Sequence, residues 1–329
     1  NFMKTVIFCG WGGSFSPPIL KEFFNSKFKI VKIFSQGPHW KRLASINSNF
    51  TMNYKDNVAE SIKREGYENL YEIIDSSNSD KVINFIRSGK IDYIITIGYG
   101  EILKSEIIKS SRKGTLNIHP GILPLNRGAD PITPVILGKV KKAGVTIHYI
   151  DEGIDTGKII ISKELKNFKN NSFFGLQSRL GILASLMIKD LFSYIKNQDS
   201  ILSLDKQDKI SKYYKKPTIE DRLFDFHMKS QKINRIVKAF SVSLNNAYFK
   251  FKQYKIYVQQ CEVIEKNTNY ISGEIIDQGL GYIIVATIDS AVLLSNIHID
   301  NYNSFESKNI LNQIIDKKIK FLNDEKLQT

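Results

Sequence analysis

The sequence predicts an α/β fold, a mostly parallel sheet with crossover helices, followed by a smaller β-rich domain. Three observations carry this. Short apolar, β-branched runs alternate with amphipathic stretches from residue 4 to residue 194. Short alternating runs separated by Gly, Asn and Asp occupy 247–297. The 329 residues are about twice an average domain of ~150.

Residues 4–9 (KTVIFC) read as a buried strand followed by glycines. Ser16-Pro17-Pro18 opens a helix to Phe24, with Pro accommodated in the first turn. Strands follow at 28–34, 70–74, 91–97, 114–118 and 144–150, and helices at 57–65, 78–88 and 101–110. Residues 173–194 place Leu176, Leu180, Leu183, Leu186, Met187 and Leu191 at helical spacing. A polar, Lys-rich stretch at 197–216 reads as a linker between a first domain, 1–196, and a second, 217–329. In the second, a helix at 233–240 precedes runs at 247–251, 255–263, 271–277, 281–287 and 291–297, expected to form a small antiparallel sheet or barrel. No internal repeat is found.

Composition narrows the function classes. Hydrophobic residues at 42% and charged residues at 24% exclude a disordered or low-complexity chain. No apolar run approaches the ~20 residues of a membrane span. Asn1-Phe2 is expected to be a remnant ahead of a natural start at Met3, with no secretory signal. Cys9 and Cys261 suit a reduced, cytoplasmic protein and are too few for a cysteine zinc site. The net charge of +14 permits an anionic partner without selecting one.

The densest chemistry lies at 115–131. Asn117 and His119 sit two apart at a strand's C-terminal end, so they share a face, at the edge where open α/β sheets bind ligands. Three prolines and two glycines then fix an irregular loop. A second cluster, Asp151-Glu152-Gly153-Ile154-Asp155-Thr156-Gly157, follows the next strand and can aim Asp155 back at His119. Taken singly, a strand-end Asn is a turn former and a lone His a structural residue. Gly10-Trp11-Gly12-Gly13 lacks the spaced third Gly and acidic partner of a dinucleotide fingerprint.

Together the clusters resemble the folate-dependent formyltransferase family, in its long two-domain form. The shared pattern is Asn117-Ile118-His119, then Leu123-Pro124-Leu125-Asn126-Arg127-Gly128, then the turn ending Asp155-Thr156-Gly157. Residues 217–221 and the helix at 233–240 look like the second domain of the long members. The resemblance implies a Rossmann-like catalytic domain and an OB-like C-terminal domain. It implies 10-formyltetrahydrofolate as formyl donor and co-substrate, no metal, and Asn117, His119 and Asp155 as the catalytic residues. His119, with an ordinary pKa near ~6.5, suits proton transfer at neutral pH. The pterin is expected along Glu101, Ile102 and Leu103, beside Ile122, Leu123 and Pro124, and in the turn at Asp151 and Ile154.

Two acceptors fit the long form: a nucleotide-linked amino sugar, for cell-surface polysaccharide, or methionyl-tRNA. Asn126 and Asp130, the run 144–157, and the short loop 37–42 resemble the sugar enzymes more closely. Gly10, Gly12, Trp40 and Arg127 are the expected substrate contacts, with Arg127 placed to pair with phosphates. Against this, ten basic and four acidic residues lie between Lys206 and Lys238, a possible RNA-facing surface. The sugar is the favoured acceptor, nucleic acid the alternative, no membrane partner is expected, and a homodimer is allowed. The intact Asn117, His119 and Asp155 favour an enzyme over a degenerate binding module.

Overall fold

A computed structural model describes residues 3–10, 13–36, 57–197, 207, 212–241, 246–265, 269–279, 281–300, 302, 306–307 and 309–312. Two compact units divide the chain. Unit 1 holds 1–132, 142–168 and 175–215, and unit 2 holds 133–141, 169–174 and 216–329.

In unit 1, β1 (Met3–Cys9), β2 (Phe28–Gln36), β3 (Tyr71–Ile74), β4 (Tyr93–Ile97), β5 (Gly114–His119), β6 (Ala143–Tyr149) and β7 (Ile159–Leu165) form one sheet. Its order is β3-β2-β1-β4-β5-β6-β7. The pairs from β3 to β5 are parallel, whereas β5–β6 and β6–β7 are antiparallel. The chain reverses direction of winding between β1 and β4, the switch point where such sheets open a crevice beyond their C-terminal ends. The central strands are apolar on both faces: Val6, Ile7, Phe8 and Cys9 of β1 and all of β4 are buried.

The helices α1 (Ser16–Phe24), α2 (Asn57–Arg64) and α3 (Asp80–Gly89) fall close to expectation. α1 turns Ile19, Leu20 and Phe23 inward, and α3 turns Val82, Ile83 and Ile86. The helix expected over 101–110 shrinks to α4 (Ser105–Ile108) because residues 101–104 are an irregular loop held by side chains, described below. The short α5 (Thr133–Ile136) belongs to unit 2. The long α6 (Phe173–Lys196) buries Leu176, Leu180, Met187 and Leu191 as expected, but Leu186 faces outward. Leu186 lies about 100° round the helix from Met187, so the two cannot both face the core.

In unit 2, α7 (Ser230–Ala239) precedes β8 (Ala247–Phe251), β9 (Tyr254–Ile264), β10 (Ile275–Gly279), β11 (Tyr282–Ala286) and β12 (Ala291–Ile299). The strands form an antiparallel sheet ordered β10-β11-β12-β9-β8. Phe224, Phe226, Ile233, Val237, Phe249 and Leu294 anchor its core. The strand count is that of an OB fold, although among the described residues β8 and β10 remain open edges. No helix among the described residues is long and apolar enough to cross a membrane. Cys9 and Cys261 are buried.

Candidate functional site

Asn117 and His119 project from the C-terminal end of β5 and meet Asp155 from the turn after β6. His119 Nδ1 lies 3.7 Å from Asp155 Oδ1. Asn117 Nδ2 lies 3.4 Å from the same oxygen. The three residues expected from the two motifs are thus brought together.

Their protonation is legible from their partners. His119 Nε2 faces the Asn126 carbonyl at 2.8 Å, and a carbonyl only accepts, so Nε2 carries the hydrogen. The lone pair of the neutral ring then sits on Nδ1, toward Asp155. Burial pushes the His119 imidazole below its ordinary value, against a smaller upward pull from Asp155. Burial also favours a raised Asp155 carboxyl, but the His148 and His119 rings and the Gly128 N–H outweigh it and bring it down to about 2. Asp155 Oδ2 accepts that Gly128 N–H at 2.9 Å. Thr96 Oγ1 donates to Asn117 Oδ1 at 2.7 Å, which fixes the Asn117 amide with its NH₂ toward Asp155.

Two members of this network were not anticipated. His148 lies opposite Asn117 in the antiparallel β5–β6 register, and its Nε2 is 3.2 Å from Asn117 Nδ2 and 3.5 Å from Asp155 Oδ1. Its Nδ1 donates to the Tyr149 carbonyl at 2.8 Å, and its Nε2 sits between the Asn117 amide and the Asp155 carboxylate. Thr96 lies beside Asn117 in the parallel β4–β5 register. The available signal was alternation: Thr146 and His148 occupy one face of β6, as Asn117 and His119 occupy one face of β5.

The loop at 101–104 is built by two side chains. Glu101 accepts from Ser76 Oγ, Ser77 N–H and Oγ, Asn78 Nδ2, Gln36 Nε2 and Tyr99 OH. Burial opposes this charge, yet the Ser76, Ser77 and Asn78 donors hold its carboxyl below the ordinary range. Asn78 also donates to the Ile102 carbonyl at 3.1 Å and accepts the Lys104 N–H at 2.6 Å. Between those clamped groups, none of the described residues hydrogen-bonds the Leu103 main chain. Ile102 is 75% exposed, Leu125 42% and Ile154 43%, so three loops at the strand ends present aliphatic groups to solvent. Ile122 and Leu123 are buried, and the Leu123–Pro124 bond is cis.

The second turn is self-built. Asp151 Oδ1 accepts from Thr156 Oγ1 at 2.5 Å and Gly153 N–H at 3.1 Å. Glu152 reaches Lys109 Nζ at 3.3 Å, just beyond α4.

The expected substrate contacts divide. Gly10 directly follows β1, and a Cβ there would overlap the Gly98 carbonyl oxygen, so close backbone approach alone demands glycine. Arg127 Nε and Nη2 both donate to Gln207 Oε1, at 3.1 and 2.6 Å, committing two of its donors within the protein. Gly12 and Trp40 lie outside the described residues. Among the described residues no group of acidic, His or Cys side chains has the arrangement of a metal site.

Comparison with known proteins gives the chain its relatives. Residues 3–185 match the formyl transferase family, and residues 216–314 match the formyl transferase C-terminal domain. A methionyl-tRNA formyltransferase of Clostridium tetani is 31% identical over 219 residues, 66% of this chain and 69% of that protein. The methionyl-tRNA formyltransferase of Francisella tularensis subsp. novicida is 26% identical over 309 residues, 94% of this chain and 95% of its own. Among solved structures, an N-formyltransferase from Helicobacter canadensis, in complex with folinic acid and dTDP-3-aminofucose, aligns with a TM-score of 0.63 at 19% identity. That alignment covers 90% of this chain and all of that one, and at this identity it shows a shared fold. The chain belongs to the formyl transferase family.

Proposed function

We propose that this formyltransferase moves the formyl group of 10-formyltetrahydrofolate to the amine of a nucleotide-linked amino sugar, in a path to cell-surface polysaccharide. The observation that carries the chemistry is the convergence of Asn117, His119 and Asp155 at one strand-end crevice. The Leu103 main chain, unbonded among the described residues, and the exposed Ile102, Leu125 and Ile154 fit a flat, polar-edged heterocycle such as a pterin.

The donor supplies the formyl carbon and, after transfer, the leaving nitrogen. Asn117, oriented by Thr96, exchanges its long 3.4 Å contact with Asp155 for the formyl oxygen and donates Nδ2–H to it as negative charge develops there. Neutral His119 accepts at Nδ1 the proton that the acceptor amine loses on forming its bond to the formyl carbon. The imidazolium so formed is paired with Asp155. His119 then returns that proton to the leaving nitrogen as its bond to the formyl carbon breaks. One N–C bond forms and one breaks, and the protons balance.

Support for the sugar comes from the run at 144–157, from Asn126 and Asp130, and from the dTDP-3-aminofucose held by the Helicobacter canadensis enzyme. A methionyl-tRNA acceptor is the second reading, favoured by the names of the sequence relatives and by the basic stretch Lys206–Lys238. Incubation with 10-formyltetrahydrofolate and a panel of dTDP- and UDP-linked amino sugars, read by mass spectrometry, tests the proposal. A formylated sugar nucleotide is expected; formylated methionyl-tRNA with every sugar unchanged would select the second reading.

A further inference from the structure

The stretch expected to be a plain linker reaches into the catalytic cluster through Gln207. Its Oε1 accepts from Arg127, and its Nε2 donates to the main-chain carbonyls of Asp155 at 3.0 Å and Gly157 at 2.7 Å. A guanidinium only donates and carbonyls only accept, so the amide has one workable orientation here. Glutamine supplies both roles at once; a carboxylate supplies only the acceptor. The neighbouring stretch docks beside it. Arg127 N–H donates to the Lys212 carbonyl at 3.0 Å, and Tyr214 N–H donates to the Arg127 carbonyl at 2.8 Å. Gly128, at φ +115°, passes so close that a Cβ would overlap the Tyr214 carbonyl oxygen.

Asp155 needs such support. Its φ of +52° lies in the left-handed region, disfavoured for a residue with a Cβ. Its carboxylate is held through Oδ2 by Gly128, and its main chain through its carbonyl by Gln207. Arg127, bonded to Gln207, is the residue preceding Gly128, so the two holds form one continuous clip.

We propose that Gln207 is a positioning residue for formyl transfer, tying Arg127 to the Asp155–Gly157 turn and so keeping the Asp155 carboxylate against His119. The proposal rests on the catalytic reading of Asn117, His119 and Asp155. Gln207 moves no proton and forms no bond in the reaction.

The test compares full-length wild type, Gln207→Ala, Gln207→Glu and Asp155→Asn in steady-state formyl transfer, with pH profiles and melting temperatures. Misplacement of a catalytic group by an ångström costs on the order of 10²-fold. Gln207→Ala is expected to lose at least about tenfold in kcat, with the folate KM within about threefold and an unchanged melting temperature. Its acid limb should move to lower pH, because a displaced Asp155 no longer raises the His119 pKa. Gln207→Glu should not rescue, since it turns a second oxygen on two carbonyls. Gln207→Ala with more than half of wild-type kcat, beside an inactive Asp155→Asn, would overturn the proposal. So would a kcat loss matched by falls in melting temperature and folate binding with the acid limb unmoved. Full turnover by Asp155→Asn would instead refute the catalytic reading itself.

Discussion

Asp155 Oδ1 faces His119 Nδ1 across 3.7 Å, with His119 only 4% exposed and its other ring nitrogen committed to the Asn126 carbonyl. A neutral, buried base with an adjacent carboxylate can take a proton and be stabilised once it has done so. This relationship governs the first two predictions.

His119→Asn removes the proposed base. General acid–base residues contribute about 10²–10⁴-fold, and kcat should fall within that range. Folate binding, measured by fluorescence quenching, should persist. A variant with half of wild-type kcat would remove His119 from the mechanism.

The pH dependence follows from burial. Because burial pushes the His119 pKa below ~6.5, the acid limb of kcat/KM should lie below that value. Asp155 raises the His119 pKa, so Asp155→Asn should carry the limb of its residual activity lower still. Stability follows the same sign. Both folded-state pKa values are depressed, so their contribution is present above the unfolded values and lost as pH falls. His119 begins that loss below ~6.5 and Asp155 below ~3.9, continuing toward about 2. Acid titration of the melting temperature reads both.

Glu101 tests the donor loop. Glu101→Ala strips the acceptor from donors at Gln36, Ser76, Ser77, Asn78 and Tyr99. Each buried donor left unpaired costs about 1–3 kcal/mol. A looser loop 101–104 should raise the folate KM by roughly tenfold, the equivalent of about 1.4 kcal/mol, while kcat changes little. An equal fall in kcat at unchanged KM would detach the loop from donor binding.

Gly10→Ala addresses the switch point. Its Cβ would overlap the Gly98 carbonyl oxygen where β1 and β4 end, and backbone cannot step aside as a flexible side chain can. Overpacking of this kind costs about 1–3 kcal/mol, which a denaturant midpoint would register.

Much of this was legible in the sequence because its signals are local. The apolar runs of β1 and β4, the Pro-Pro start of α1 and the two motifs around His119 and Asp155 each announce themselves within a dozen residues. What escaped depends on register across strands. His148 joins the site only because β6 runs antiparallel to β5, and Thr96 only because β4 lies beside β5. Neither neighbour can be read from spacing along one strand. Glu101 looked like a helix start because its partners, Ser76, Ser77 and Asn78, lie more than twenty residues away. Gln207 sits in a Lys-rich stretch whose composition speaks only of solvent, and its role comes from the carbonyls it meets.

The most direct test of the acceptor is kcat/KM for formyl transfer to dTDP-linked 3-amino and 4-amino sugars and to methionyl-tRNA, each at low and physiological salt. A compact sugar nucleotide engages two phosphates, so its rate should depend weakly on salt. Binding along a duplex loses affinity with a slope of about 0.9 per phosphate contacted. The account predicts efficient, salt-shallow transfer to at least one sugar nucleotide, lowered about 10²–10⁴-fold by His119→Asn. Efficient, salt-steep transfer to methionyl-tRNA with none to any sugar nucleotide would contradict it.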